Sequence, residues 1–280
     1  MIGTLRNTQR EVIVQSKIKK QIKNLIKDYF DESSNFKLNP KKDRVTVGYP
    51  CYDNREIERA VECLLDLRLS QGPRVEEFQN KYSEYIGTDF GVAVNSGSSA
   101  NLIALAALVK SGMVKKGSEV IIPATTFTTV VSPIIQNGLI PVFVDVDRDT
   151  YNINVKEIEK AINDNTGLIM PVHTLGLSAD MDSIMKLADK YNLPVLEDCC
   201  EAHGASINGK RVGSFGDISA YSFFVAHNMT TGEGGMVMTS NEKLNDLLFQ
   251  LREFGRLKKY ENNKGRFYYN NGELKDFDER

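Results

Sequence analysis

Tryptophan is absent from these 280 residues, and only four cysteines and three histidines occur. The cysteines are Cys51, Cys63, Cys199 and Cys200, and no two have the Cys-x-x-Cys spacing of a zinc or iron–sulfur site. The adjacent pair Cys199-Cys200 follows an apolar run and reads as two small core residues. His173, His203 and His227 are scattered without spaced carboxylates, so no metal is expected. No apolar run approaches the roughly 18 residues of a membrane span, and the N-terminus lacks the apolar segment of a secretory signal. A formal charge of −2 leaves no basic surplus for nucleic acid or an anionic membrane. These absences lead us to expect a cytoplasmic protein held together by its core.

What is present fits that expectation. Hydrophobic residues make up 41% and charged residues 26% of the chain, an ordinary globular balance. The basic stretches Lys17–Lys27 and Lys258–Arg266 read as solvated faces. Apolar residues at helical spacing over Glu11–Phe30, followed by a polar stretch to Arg44, predict an N-terminal helical arm and linker over residues 1–45. From residue 46 to 256 helices alternate with short, continuously apolar strands. The strands are read at 90–94, 119–123, 140–145, 168–172 and 194–198, and helices at 56–69, 75–86, 99–108, 130–136, 155–162, 181–191 and 244–254. Such strands are buried on both faces, so the fold class expected is α/β, a mostly parallel sheet flanked by helices. Residues 257–280 are polar, without clear periodicity, and read as a loop or tail.

In an open α/β sheet, ligands bind beyond the carboxyl ends of the strands. Several polar segments fall there. Asn95-Ser96-Gly97-Ser98-Ser99-Ala100-Asn101 leaves a strand and opens a helix, where small residues and free N–H groups suit an anion, or simply cap the helix. Asp198 ends a strand, where it could pair with a protonated ring nitrogen or cap the next turn. Phe127, in Pro123–Thr129, could stack on a ring or join the core. Ser222 opens Ser222-Phe223-Phe224-Val225-Ala226-His227-Asn228, which runs into the Gly-rich Thr230–Gly235, so His227 is placed on a loop. His173 and His203 are read as structural.

In this combination and order, from about Val45 to Gly255, the chain resembles the DegT/DnrJ-type family of pyridoxal-phosphate sugar enzymes of fold-type I. The matching segments include Pro141–Asp147, Glu197-Asp198 and Gly213-Ser214-Phe215-Gly216-Asp217 beside those above. The resemblance implies that Gly97, Ser98, Ser99 and Ser222 surround the cofactor phosphate, Phe127 stacks on the ring and Asp198 pairs with its nitrogen. It places Glu201 near the ring hydroxyl. Most members carry a lysine where this chain has His227. A lysine there forms a Schiff base with pyridoxal phosphate; a histidine cannot, but moves protons near neutral pH.

Members with that histidine resemble nucleotide-sugar 3-dehydratases of the CDP-4-keto-6-deoxyglucose type, which use pyridoxamine 5'-phosphate in making 3,6-dideoxysugars for lipopolysaccharide. The resemblance therefore implies a nucleotide-sugar substrate and a homodimer, with either a reductase partner or, as in the cluster-free GDP-sugar branch, recycling of the cofactor by glutamate. An iron–sulfur cluster, usual in the CDP-sugar branch, is not expected, because Leu257–Arg280 contains no cysteine. Family members continue into a small C-terminal domain, which this chain is expected to lack. Two rival expectations stand beside the dehydratase: a family fragment acting as a binding or partner subunit, and a sugar aminotransferase using another lysine, Lys210 or Lys243 being nearest in sequence.

Overall fold

The computed structural model describes residues 9–33, 42, 44, 48, 50–256, 267–270 and 273–276. The chain forms two compact units, Met1–Pro73 and Arg74–Arg280. The first holds helix α1 (Gln9–Ser33) and helix α2 (Asn54–Leu65). Asp53 caps α2 by accepting the Arg55 N–H, and Glu56 reaches back to the Asp53 N–H, a reciprocal capping box. Ion pairs Lys19–Asp66, at 2.5 Å, and Lys23–Glu62 join the two helices. This division groups α2 with the arm helix. Much of the expected linker (34–41, 43) and the basic stretch 258–266 lie outside the described residues.

The second unit opens with helix α3 (Pro73–Ile86) and is built on a sheet. Its strands are β1 (Phe90–Val94), β2 (Glu119–Pro123), β3 (Ile140–Val144), β4 (Thr166–Ile169), β5 (Leu196–Asp198), β8 (Ile218–Ser222) and β9 (Gly235–Thr239), with a short hairpin, β6 (Ser206–Ile207) and β7 (Lys210–Arg211), between β5 and β8. Ladders order them β3-β2-β4 and β1-β9-β8-β5, and the parallel bridges Ile169↔Val195 and Val172↔Asp198 join the two sets. Every neighbouring pair is parallel except those of β9, which runs antiparallel to both β1 and β8. The mostly parallel sheet expected from the apolar runs is present. The two strands not expected, β8 and β9, lie between β5 and the edge strand β1.

Burial on both faces is visible within single strands. Val120 and Ile122 join the core formed with α4 (Gly97–Ser111), α5 (Thr128–Gln136) and α8 (Glu242–Arg252), while Ile121 joins that formed with α6 (Val155–Ala161) and α7 (Met181–Tyr191). This is the two-residue alternation of a strand applied to a run with no polar face. Tyr82 and Ile86 of α3 pack with Tyr221, Phe223, Met236 and Met238 in a third cluster. In the segment expected to be a tail, Phe267–Asn270 and Glu273–Asp276 pair as an antiparallel hairpin. Pairing between nearby strands depends on backbone bonds that composition does not announce.

Candidate functional site

The three buried residues of β5 divide between the faces of the sheet. Leu196 packs in the core beneath α4, and Asp198, two residues on, faces the same way. Asp198 is buried and takes two hydrogen bonds: the Cys200 N–H on Oδ1 at 3.0 Å and the Asn101 Nδ2 on Oδ2 at 2.8 Å. Glu197 points to the other face. Its carboxyl oxygens accept the N–H groups of Gly213, Phe215 and Gly216 at 2.7, 2.8 and 2.7 Å, and face His173 Nε2 at 3.1 Å. The Ala179 N–H donates to His173 Nδ1, so the remaining proton of the neutral ring sits on Nε2 and points at Glu197. His173 is thus a satisfied structural histidine, as the sequence suggests.

Helix α4 begins beside Asp198. Ser96 caps it, its Oγ accepting the Ser99 N–H at 3.1 Å. Gly97 and Ser98 project their N–H groups from the same first turn, where a helix offers no internal acceptor. Gly97 is required sterically: a Cβ there would stand 2.5 Å from Ser222 Cβ and 2.9 Å from Cys200 Sγ. The Ser222 side chain, buried at the end of β8, is thereby pressed against the start of α4. Ser98 is exposed and Ser99 half-buried. These residues form a cradle of hydroxyls and N–H groups at a positive helix end, suited to a phosphate.

His227 is half-buried on the loop after β8, its N–H bonded to the Phe224 carbonyl. Burial holds its imidazole below the ordinary histidine value, and the Glu201 and Asp198 carboxyls pull it only partly back. Near neutral pH it is an uncharged base within electrostatic reach of two carboxyls. Glu201 is exposed and accepts the Leu175 N–H at 2.8 Å, fixing a turn in which Leu175 adopts a left-handed φ of 53°. Phe127 is 73% exposed at the start of α5, so it is no core residue and its face is open to a ring. The structure therefore gathers Gly97, Ser222 and Asp198 by direct contact or through Cys200, and sets Glu201 and His227 in electrostatic reach of one another.

One group here has no role in the sequence reading, and a second, His203, gains its partners only in the fold. Asn101 belongs to the Asn95–Asn101 segment, and its one signal in the sequence is an amide in an Ala- and Leu-rich helix; the structure buries it fully. His203, read as structural, donates from Nε2 to the Ser222 carbonyl at 2.7 Å and accepts the Tyr82 hydroxyl on Nδ1 at 2.7 Å. It pins the end of β8, with its ring centroid 6.5 Å from that of His227. Among the described residues, His173, Glu197 and Cys199 bring metal-type ligand atoms within 4.8 Å of one another. The nitrogen and oxygens are already engaged as above, and burial first, then Glu197, push the Cys199 thiol up, so it stays protonated. No helix among the described residues is long and apolar enough to cross a membrane.

Residues 50–278 match the DegT/DnrJ/EryC1/StrS aminotransferase family. The Salmonella typhimurium lipopolysaccharide biosynthesis protein RfbH is 41% identical over 248 residues, 85% of this chain and 56% of that protein. An aminotransferase from Psychrobacter cryohalolentis superposes with a TM-score of 0.71 at 37% identity, covering 75% of this chain and 53% of that one. An E coli GDP-4-keto-6-deoxy-D-mannose-3-dehydratase with bound hydrated PLP gives 0.72 at 34% identity, covering 76% and 55%. The chain thus spans about half the length of the curated relatives it matches. Relatives include both sugar 3-dehydratases and a sugar transaminase.

Proposed function

Because this chain belongs to the DegT/DnrJ/EryC1/StrS aminotransferase family, we propose that it carries the cofactor-binding half of a 3-dehydratase acting on a nucleotide-linked 4-keto-6-deoxyhexose in dideoxysugar synthesis. The observation that carries this reading is His227, an uncharged half-buried imidazole on the loop where the family's lysine is expected, within electrostatic reach of Asp198 and Glu201. The Gly97–Ser222 cradle fits a phosphate, and the buried Asp198 fits a protonated ring nitrogen. Bound there, pyridoxamine 5'-phosphate supplies an amine for the sugar ketone and a ring that takes up electrons.

The chain's own residues do the rest. Ser98, Ser99 and Ser222 with the start of α4 hold the phosphate, Phe127 covers the ring and Asp198 keeps its nitrogen protonated. His227 would be placed to take a proton at the cofactor's amine-bearing carbon and to return one to the C3 hydroxyl, which would leave as water. An imidazole below its ordinary value is in the right state to begin as the base. A sugar aminotransferase needs a lysine instead. Lys243 is bonded to the Ser111 carbonyl at 3.0 Å and Lys210 lies over the Phe215 ring at 4.5 Å, so both nearby candidates have other partners.

The test is incubation of the protein with pyridoxamine phosphate and a CDP- or GDP-4-keto-6-deoxy sugar, followed by mass spectrometry. Loss of water from the sugar is expected. Amino transfer from glutamate without dehydration would establish the aminotransferase reading in its place, and cofactor binding with neither reaction would leave a binding subunit.

A further inference from the structure

Asn101 is fully buried in the interior of α4, among Ala100, Ala104 and Leu105. Packing alone would favour an apolar residue there, since an amide withdrawn from water is costly unless its hydrogen bonds are replaced. Both hydrogens of this amide are used: Nδ2 donates to Asp198 Oδ2 at 2.8 Å and to the Thr129 carbonyl at 3.3 Å. The other atom, Oδ1, is buried without a partner. Flipping the amide would set Oδ1 against a carboxyl and a carbonyl, two acceptors, so its orientation is determined. The fold tolerates a stranded acceptor in order to aim two donors, one of them at Asp198.

We infer that Asn101 is a positioning residue that fixes the Asp198 carboxyl for the cofactor ring nitrogen, so that a single helix sets both ends of the cofactor. Gly97 and Ser98, on the first turn of α4, belong to the phosphate cradle, and Asn101 lies one turn later on the same rigid element. With Oδ2 held by Asn101 and Oδ1 by the Cys200 N–H, the carboxyl cannot rotate in its strand-end position. This inference rests on the cofactor reading above.

The test uses Asn101→Leu and Asn101→Asp in the full chain. Pyridoxamine phosphate affinity is measured by fluorescence titration across pH, and the Asp198 orientation is read from cofactor-free crystals. In Asn101→Leu the carboxyl turns from its original orientation, and affinity falls at least about tenfold, the low end of what one hydrogen bond to a charged group supports. In Asn101→Asp two carboxyls face each other, so affinity falls below the parent's by a margin that widens as pH rises. An unmoved carboxyl in folded Asn101→Leu overturns the assignment, and so does a turned one with unchanged affinity. Should Asn101→Leu fail to fold, an affinity in Asn101→Asp that follows the parent's pH profile overturns it. A turned carboxyl in a protein whose parent does not bind pyridoxamine phosphate leaves the positioning role standing and removes the cofactor reading.

Discussion

Glu197→Gln isolates the polar network beneath the site, because it keeps size and shape while replacing one acceptor by a donor. In the native chain one carboxyl oxygen serves Phe215 and Gly216, and the other serves Gly213 and His173. Glutamine retains a carbonyl for one pair and presents an NH2 group to the other, leaving two buried donors without acceptors. His173 cannot relieve the clash by moving its proton, since Nδ1 is needed for the Ala179 N–H. Each stranded donor costs about 1–3 kcal/mol, so the substitution costs about 4 kcal/mol. Against a typical stability of about 5–15 kcal/mol this is a large loss. For a domain of this size it corresponds to a melting temperature lower by roughly 10 °C. Urea denaturation followed by circular dichroism measures it directly, with an unchanged denaturant slope expected. A loss below about 1 kcal/mol would refute the reasoning, because the network would then not depend on two acceptor oxygens.

Other perturbations address the site itself. His227→Asn should leave pyridoxamine phosphate binding intact while slowing dehydration by about 10²–10⁴-fold, the range for losing a positioned acid–base group; His227→Lys should instead capture pyridoxal phosphate covalently, seen as a borohydride-fixed mass increase, and no capture in a folded variant counts against the placement of residue 227. Gly97→Ala should cost about 1–3 kcal/mol and weaken cofactor binding, since its Cβ would stand 2.5 Å from Ser222 Cβ; unchanged values in denaturation and titration would show that this close approach does not shape the cradle. His203 and His227 both lie below the ordinary value of 6.5, burial being the main cause. The unfolded chain takes up protons as pH falls through 6.5 while the folded chain resists, so these groups lower stability on acidification below 6.5 and leave it unaffected above. Melting curves between about pH 7.5 and about pH 5 check this, and a rise on acidification would contradict it.

The parts legible in the sequence were those whose signal is local. Val120-Ile121-Ile122 has no polar face and announces a strand buried on both sides, and Gly97 between serines after a strand announces a helix start able to receive an anion. Strand β8 was not legible, because Ser219 and Ser222 interrupt its apolar run; Ser219 is buried only because its hydroxyl reaches the Gly213 carbonyl across a turn. Strand β9 begins at Gly235, inside a stretch whose glycines suggested only a loop. That glycine is needed because a Cβ would stand 2.2 Å from the Ser96 carbonyl oxygen, a contact made by residues far away in the chain. The same limit hid the roles of Asn101 and His203. Their partners, Asp198 and Ser222, are joined to them by the fold and not by spacing.

The antiparallel strand β9 has a consequence for the order in which the molecule is made. It separates β1 from β8, and its register joins Phe90 to Thr239, so the first strand of the sheet waits for the last. Such distant pairings close slowly, and a chain emerging from the ribosome holds β1 unpaired on the β9 side until residue 239 is available. The contact between Gly235 and Ser96 forms in that same event, so the phosphate cradle is completed only when the sheet is. Pulse-labelled hydrogen exchange during refolding should find the β1 and β9 amides protected together, after those of the β2–β3 ladder; earlier protection of β1 would break this order.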